Sequence, residues 1–269
     1  MKKFRYIILA LAAMFIAASC VVEDQMVTVE YNVGAANTKA MSEGESANYV
    51  WYALYDLDGN LVNDFGTKPI VDGKANCPVT MVKGQSYNIV FVAQHYSPLG
   101  EAMVPMYEIK PSQGVICMPS AARANSDEYD LFRGMDTVIS YSGHKSDQVT
   151  LERIVAQVNV VSEQDDWNAL LTAGHLPDAS ELVLSGVPAA YDMLSGTAVE
   201  DVMTVNYTKS ALTGETYNLG TAFCFAGDEI SVKLGLYRGN SKIKEVIVDR
   251  AAVEPNKKTN IVGVRLLRL

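Results

Sequence analysis

From Met26 to Val33 the chain alternates strictly. Val27, Val29, Tyr31 and Val33 fall on one side, and Thr28, Glu30 and Asn32 on the other. A period of two is the period of a strand with one buried face, and it cannot be reconciled with a helix. The same density of β-branched and aromatic residues returns in short runs along the chain. These include Tyr49–Tyr55, Val79–Val82, Ser86–Gln94, Asp136–Ser142, Ser180–Val187, Asp201–Tyr207, Tyr217–Phe225, Glu229–Tyr237, Lys242–Val248 and Thr259–Leu269. Asp58-Gly59 and Arg238-Gly239-Asn240-Ser241 punctuate two of them as hairpin turns. About a dozen short strands separated by turn signals predict an all-β antiparallel sandwich architecture.

The strongest apolar run, Val149–Val161, changes parity part-way. Val149 and Leu151 lie in one phase, and Ile154, Ala156, Val158 and Val160 in the other, so a bulge or bend is expected near Glu152-Arg153. Residues 95–130 hold Pro98, Pro105, Pro111 and Pro119 and are expected to form long loops with short strands. Residues 163–175 are the best helix candidate, and a short one. We expect two sandwich domains, residues 20–147 and 148–269, with the helix in the second. Residues 34–48 are small and polar and are expected to form a mobile loop.

The N-terminus belongs to none of this. Lys2, Lys3 and Arg5 precede an apolar run from Tyr6 to Ala18, then Ala17-Ala18-Ser19-Cys20. A basic start, a short apolar stretch and small residues make a secretory signal over residues 1–19. The end of the run resembles a lipobox, with lipid carried on Cys20. Removing residues 1–19 leaves 19 basic against 31 acidic residues, a net charge of about −12. That balance argues against nucleic acid as a partner. Cys77, Cys117 and Cys224 remain, an odd number without ligand-like spacing.

No motif for catalysis, a cofactor or a metal emerges, and no enzyme activity is expected. Asp56-Leu57-Asp58-Gly59-Asn60 opens like a calcium loop, but Thr67 stands where a bidentate Glu is required. His95, His144 and His175 lie far apart. The pairs Asp165-Asp166 and Asp127-Glu128 are expected on solvated faces. Tyr49, Trp51 and Tyr55 share a nominal face; they suit a sandwich core, or a stacking platform for glycans if exposed.

Six segments, taken in order, resemble the fimbrillins, the type V pilus subunits of the Bacteroidota. They are the lipobox with Val21-Val22-Glu23-Asp24; Asn37-Thr38-Lys39-Ala40 after a strand; Tyr52-Ala53-Leu54-Tyr55-Asp56 with Gly59-Asn60-Leu61; Lys83-Gly84-Gln85-Ser86-Tyr87-Asn88 leading into Val90-Phe91-Val92-Ala93-Gln94; Leu151-Glu152-Arg153-Ile154-Val155-Ala156-Gln157-Val158-Asn159; and Lys258-Thr259-Asn260-Ile261-Val262-Gly263. The resemblance implies two transthyretin-like β-sandwich domains and a structural or accessory role in a surface fimbria. It implies export as an outer-membrane lipoprotein, with other fimbrial subunits as partners. A protease would remove an N-terminal strand (Val27, Val29, Tyr31, Val33), and a neighbour's donor strand (Ile261, Val262, Val264, Leu266, Leu267) would fill the groove. The family's protease cuts after Arg, whereas here Lys39 occupies the candidate position and no Arg lies between Arg5 and Arg123. That departure suits a lipid-anchored anchor or accessory subunit better than a stalk. The alternative is a monomeric lipid-anchored surface adhesin or glycan-binding module, with a host protein or glycan as partner.

Overall fold

The structure, a computed structural model, describes residues 26–35, 47–142, 147–212 and 217–264. The signal segment, Cys20, Lys39, Leu266 and Leu267 lie outside the described residues. The first strands are β1 (Met26–Ala35), β2 (Tyr49–Tyr55), β3 (Leu61–Pro69), β4 (Lys74–Val82) and β5 (Tyr87–Gln94). The proline-rich middle holds β6 (Tyr96–Leu99), β7 (Ala102–Pro105), β8 (Glu108–Lys110), β9 (Val115–Cys117) and β10 (Ala121–Arg123). Then come β11 (Leu131–Val138), β12 (Asp147–Arg153), β13 (Val155–Ser162) and the short helix α1 (Gln164–Thr172). The chain continues with β14 (Ala179–Pro188), β15 (Ala190–Asp192), β16 (Thr197–Ala198), β17 (Val202–Ala211), β18 (Asn218–Phe225), β19 (Ile230–Arg238), β20 (Ser241–Ala251) and β21 (Lys258–Val264). The protein is all-β and sandwich-like, with one short α-helix among the described residues.

A seven-stranded curled sheet, ordered β3-β2-β5-β11-β12-β1-β4, forms the first unit. The second is built on β10-β17-β14-β19-β20 and on β18-β13-β21. Both expected hairpins are present, β2 with β3 and β19 with β20. The first turns at Gly59, whose φ of 87° is one that glycine adopts without strain. There the Asp56 carboxylate accepts hydrogen bonds from the backbone N–H and the amide of Asn60, so this segment is a turn.

The parity change in the apolar run has a plain cause. The run is two strands that break at Ile154, with β12 in the first sheet and β13 in the second. Earlier strands also reach across, because β9 pairs with β15 and β10 runs parallel to β17.

β2 and β5 are buried on both faces, which explains their nearly unbroken apolar sequences. Val50, Tyr52, Leu54, Ile89 and Phe91 face a first core. Trp51, Ala53, Tyr55, Val90 and Val92 face a second core, shared with Val158, Phe225 and other residues of the second unit. Trp51 is 5% exposed and Tyr55 0%, so the aromatic run is core and offers no stacking platform. Tyr49 is half-buried against Tyr96. Residues 47 and 48 at the end of the expected loop are fixed: Ala47 is buried, and the Asn48 amide pairs with the backbone of Tyr96 in both directions.

Asp166 is buried, contrary to the solvated face expected for it. It lies in the first turn of α1 beside buried Trp167, where the helix dipole favours a carboxylate.

Candidate functional site: the first strand, the last strand and the spine between them

β1 sits inside its sheet. It pairs antiparallel with β4 from Met26↔Val82 to Gly34↔Lys74, and parallel with β12 from Tyr31↔Asp147 to Ala35↔Leu151. Its apolar phase faces the first core. Val29, Tyr31 and Val33 are buried and Val27 is half-buried. The Tyr31 ring packs on Phe91 at 5.4 Å, and its hydroxyl donates to Asp136 Oδ2 at 3.0 Å. Across the strand, Tyr31 faces Cys77 of β4. Burial pushes the Cys77 thiol up to about 12, and that of Cys224 in the second core likewise. Both thiols therefore stay neutral and unreactive while their cores are closed.

Full burial of a Val-sized side chain is worth about 1.5–3 kcal/mol. Three such residues and a half-buried fourth are comparable with the roughly 5–15 kcal/mol that holds a domain together. A chain stripped of β1 would expose the flanks of β4 and β12 and an apolar slot. The sequence of β1 thus defines a groove as well as a strand.

β21 is held differently. It runs parallel to β13, from Gln157↔Lys258 to Ser162↔Val264 with one irregularity, and has no second neighbour among the described strands. Ile261 is half-buried against the second core, whereas Val262 is 71% exposed.

Between these ends lies a buried ion pair. Arg153 Nε and Nη2 donate to the two oxygens of Asp130 at 2.6 and 2.7 Å, and neither side chain is exposed. Arg153 Nη1 donates to Asn256 Oδ1 at 3.2 Å, and the guanidinium lies 5.0 Å from the Phe132 ring centre. Asn256 in turn donates its backbone N–H to Val155 at 3.0 Å. One arginine at the break between β12 and β13, the two consecutive strands that form a spine through both sheets, therefore fixes the entry to β11 and the turn that launches β21. Arg153 was visible beside Glu152 as one of two charges in the strongest apolar run, but its partner is distant in sequence.

Residues 22–267 match the model of a family described as a family of unknown function, DUF6562. The chain belongs to that family. No curated protein matches it. Among solved structures, a provisionally assigned polysaccharide-binding protein (DUF1812) from Bacteroides thetaiotaomicron has a TM-score of 0.51 at 10% identity, over 81% of this chain and 79% of that one. A provisionally assigned cell-adhesion protein from Bacteroides ovatus gives 0.50 at 9% identity, over 88% of this chain and 92% of that one. The fimbrial anchor protein Mfa2 from Porphyromonas gingivalis gives 0.47 at 14% identity, over 82% of each. The first two likenesses establish a shared fold.

In this DUF6562 chain the sequence-predicted residues divide cleanly. Val27, Val29, Tyr31 and Val33 stand together in the slot of β1, while Ile261 and Val262 point to opposite sides of β21. Among the described residues no cluster of three or more His, Cys, Asp or Glu could hold a metal. No described helix is long and apolar enough to cross a membrane.

Proposed function

We propose that this protein is a structural or accessory subunit of a surface fimbria, exported as a lipoprotein on Cys20 and assembled by β-strand complementation. The observation that carries the reading is the position of β1. It is the first described strand, its apolar face fills a core, and residues 36–46 lead away from it to β2. A cut there would make β1 a separable peptide and its slot an acceptor for another strand, with main-chain hydrogen bonds supplying affinity and side-chain pockets register.

β21 has the properties of a donor. At home Thr259 and Ile261 are half-buried, and a register slip that sets Val264 against Ser162 ends the regular alternation after Ile261. In a regular strand Val262, Val264 and Leu266 would share one phase. A neighbour's groove that takes the segment without the slip, turned over by a shift of one residue, receives this more apolar set. The absence of Arg from the segment after β1 favours retention of β1 and of the lipid, hence an anchor or accessory position at the outer membrane.

Deleting residues 259–269 tests the donor role. The truncated chain is expected to keep a cooperative unfolding transition and to lose polymer formation. Polymers formed by the truncated chain would overturn the donor strand. Loss of the transition would mean that β21 serves only its own sandwich. On intact cells, an acylated Cys20 N-terminus is the expected finding for a retained anchor, and a start at Ala40 would instead mean a freed subunit.

A further inference from the structure

The curled sheet of the first unit has two ends, and the strand register says what meets at each. At the end where β1 begins, Met26 lies opposite Val82, Val138 opposite Tyr87, and Tyr55 opposite Asn88. The start of β1, the turn at 83–86, the corner at 139–141 and the hairpin tip at 56–60 therefore form one rim. Three large apolar side chains stand in the open on it: Met26 is 50% exposed, Leu57 52% and Ile139 65%. Turn tips ordinarily carry small or polar residues, and apolar side chains gathered at a surface mark contact with a partner or a membrane.

The rim is braced. At the tip that carries Leu57, the Asp56 N–H donates to the Asn60 carbonyl at 3.0 Å and the Gly59 N–H to the Asp56 carbonyl at 3.2 Å. The corner that carries Ile139 is tied to the turn beside it. Ser140 N–H donates to Ser86 Oγ at 3.0 Å, Tyr141 N–H to the Gln85 carbonyl at 2.9 Å, and Gly84 N–H to the Tyr141 carbonyl at 2.8 Å. Ser140 holds a φ of 45° there, a left-handed conformation uncommon for any residue but glycine. Main-chain bonds thus hold Leu57 and Ile139 outward, and little ordering is needed when something covers them.

The chain itself says what covers them. Cys20 precedes Met26 by six residues, which span at most about 20 Å when extended. An acyl group on Cys20 therefore holds this rim close to the bilayer. The opposite end, where the β6–β7 hairpin exposes Leu99, lies the length of β5 away, roughly 25 Å. Among the described residues the charges of the rim nearly balance, Asp56 and Asp58 against Lys83, which suits zwitterionic headgroups. We propose that this rim is a membrane foot, with Met26, Leu57 and Ile139 entering the headgroup region of the lipid surface that holds the acyl chains of Cys20. The chains supply the attachment, and the foot adds buried apolar area and fixes which end of the protein faces the bilayer. The inference rests on the retained lipid anchor proposed above.

The test uses the full acylated chain in vesicles of phosphatidylcholine with brominated acyl chains, after intact mass has established the lipid on Cys20. Trp51 and Trp167 are buried, so an indole added at the surface reports the quenching. Leu57→Trp and Ile139→Trp are each expected to lose about half of the added emission, as side chains at the headgroup–acyl boundary should. Leu99→Trp, at the opposite end, should lose none. Leu57→Ser combined with Ile139→Ser should speed transfer between vesicles roughly tenfold. An acylated, vesicle-bound chain quenched no more in Leu57→Trp and Ile139→Trp than in Leu99→Trp would overturn the foot and leave the anchor standing. A chain without lipid on Cys20 would overturn the anchor and the foot with it. In the absence of vesicles, a dimer that Leu57→Ser dissociates would assign the rim to a second copy and overturn the foot.

Discussion

β1 and β21 both run parallel to the strand they join, β1 to β12 and β21 to β13, yet among the described strands only β1 has a neighbour on its other side. β1 buries Val29, Tyr31 and Val33, whereas β21 half-buries Ile261 and leaves Val262 exposed. An enclosed strand that the chain could lose by a cut leaves a deep, shaped slot. An edge strand with little buried area can leave its own domain at small cost. In the proposed assembly this difference makes the slot of β1 the acceptor and β21 the donor, with the Arg153–Asp130 pair holding the break between β12 and β13 for both.

The comparison can be broken most forcefully at the spine. Arg153→Met strands Asp130 in the interior, and removing one partner of a buried pair costs about 3–5 kcal/mol; urea unfolding should show that loss. Tyr31→Ala in β1 should cost about 3–4 kcal/mol, as truncation of a buried aromatic does. Ile261→Ala in β21, half-buried, should cost well under half as much by the same measurement. Gly134→Ala probes the packing of β11 on β12. An added Cβ would meet Val149 Cγ1 at 2.8 Å and Leu151 Cδ2 at 2.9 Å, so about 1–3 kcal/mol of overpacking is expected. Val262→Ser should change stability by less than about 0.5 kcal/mol and weaken assembly alone.

The cysteines sharpen the comparison without perturbing stability. With both buried thiols raised to about 12, neither Cys77 nor Cys224 should alkylate at pH 8 in the intact fold. The sign of the pH effect follows. The neutral thiol is favoured in the fold, so its stabilising contribution is complete below the ordinary thiol value of 9.0 and is lost as pH rises toward about 12. Opening the slot of β1 should expose Cys77 and leave Cys224 protected.

Local patterns made much of this legible. The alternation from Val27 to Val33 marked β1 and its inward face, and the Asp58-Gly59 and Arg238-Gly239 turns marked two hairpins. The parity switch near Arg153 was a true signal, but nothing local could say that the run changes sheets there. Burial of β2 on both faces was latent in Tyr49–Tyr55, whose seven residues contain no charged side chain. The pairing of the terminal strands with the spine and the Asp130–Arg153 clamp were not legible. Each depends on contacts between residues far apart in sequence, set by topology and not by spacing.

The central claim is that β1 is exchangeable, and one measurement addresses it directly. Lys39→Arg places a single engineered cut site after β1 in the mature chain, and an Arg-specific protease cleaves it under native conditions. Size and Cys77 alkylation are then followed together. The account predicts loss of the β1 peptide and growth of oligomers in which Cys77 stays protected. In the chain that also lacks residues 259–269, Cys77 should become reactive and no oligomers should form. A cut chain that stays monomeric with β1 bound and Cys77 protected would contradict it.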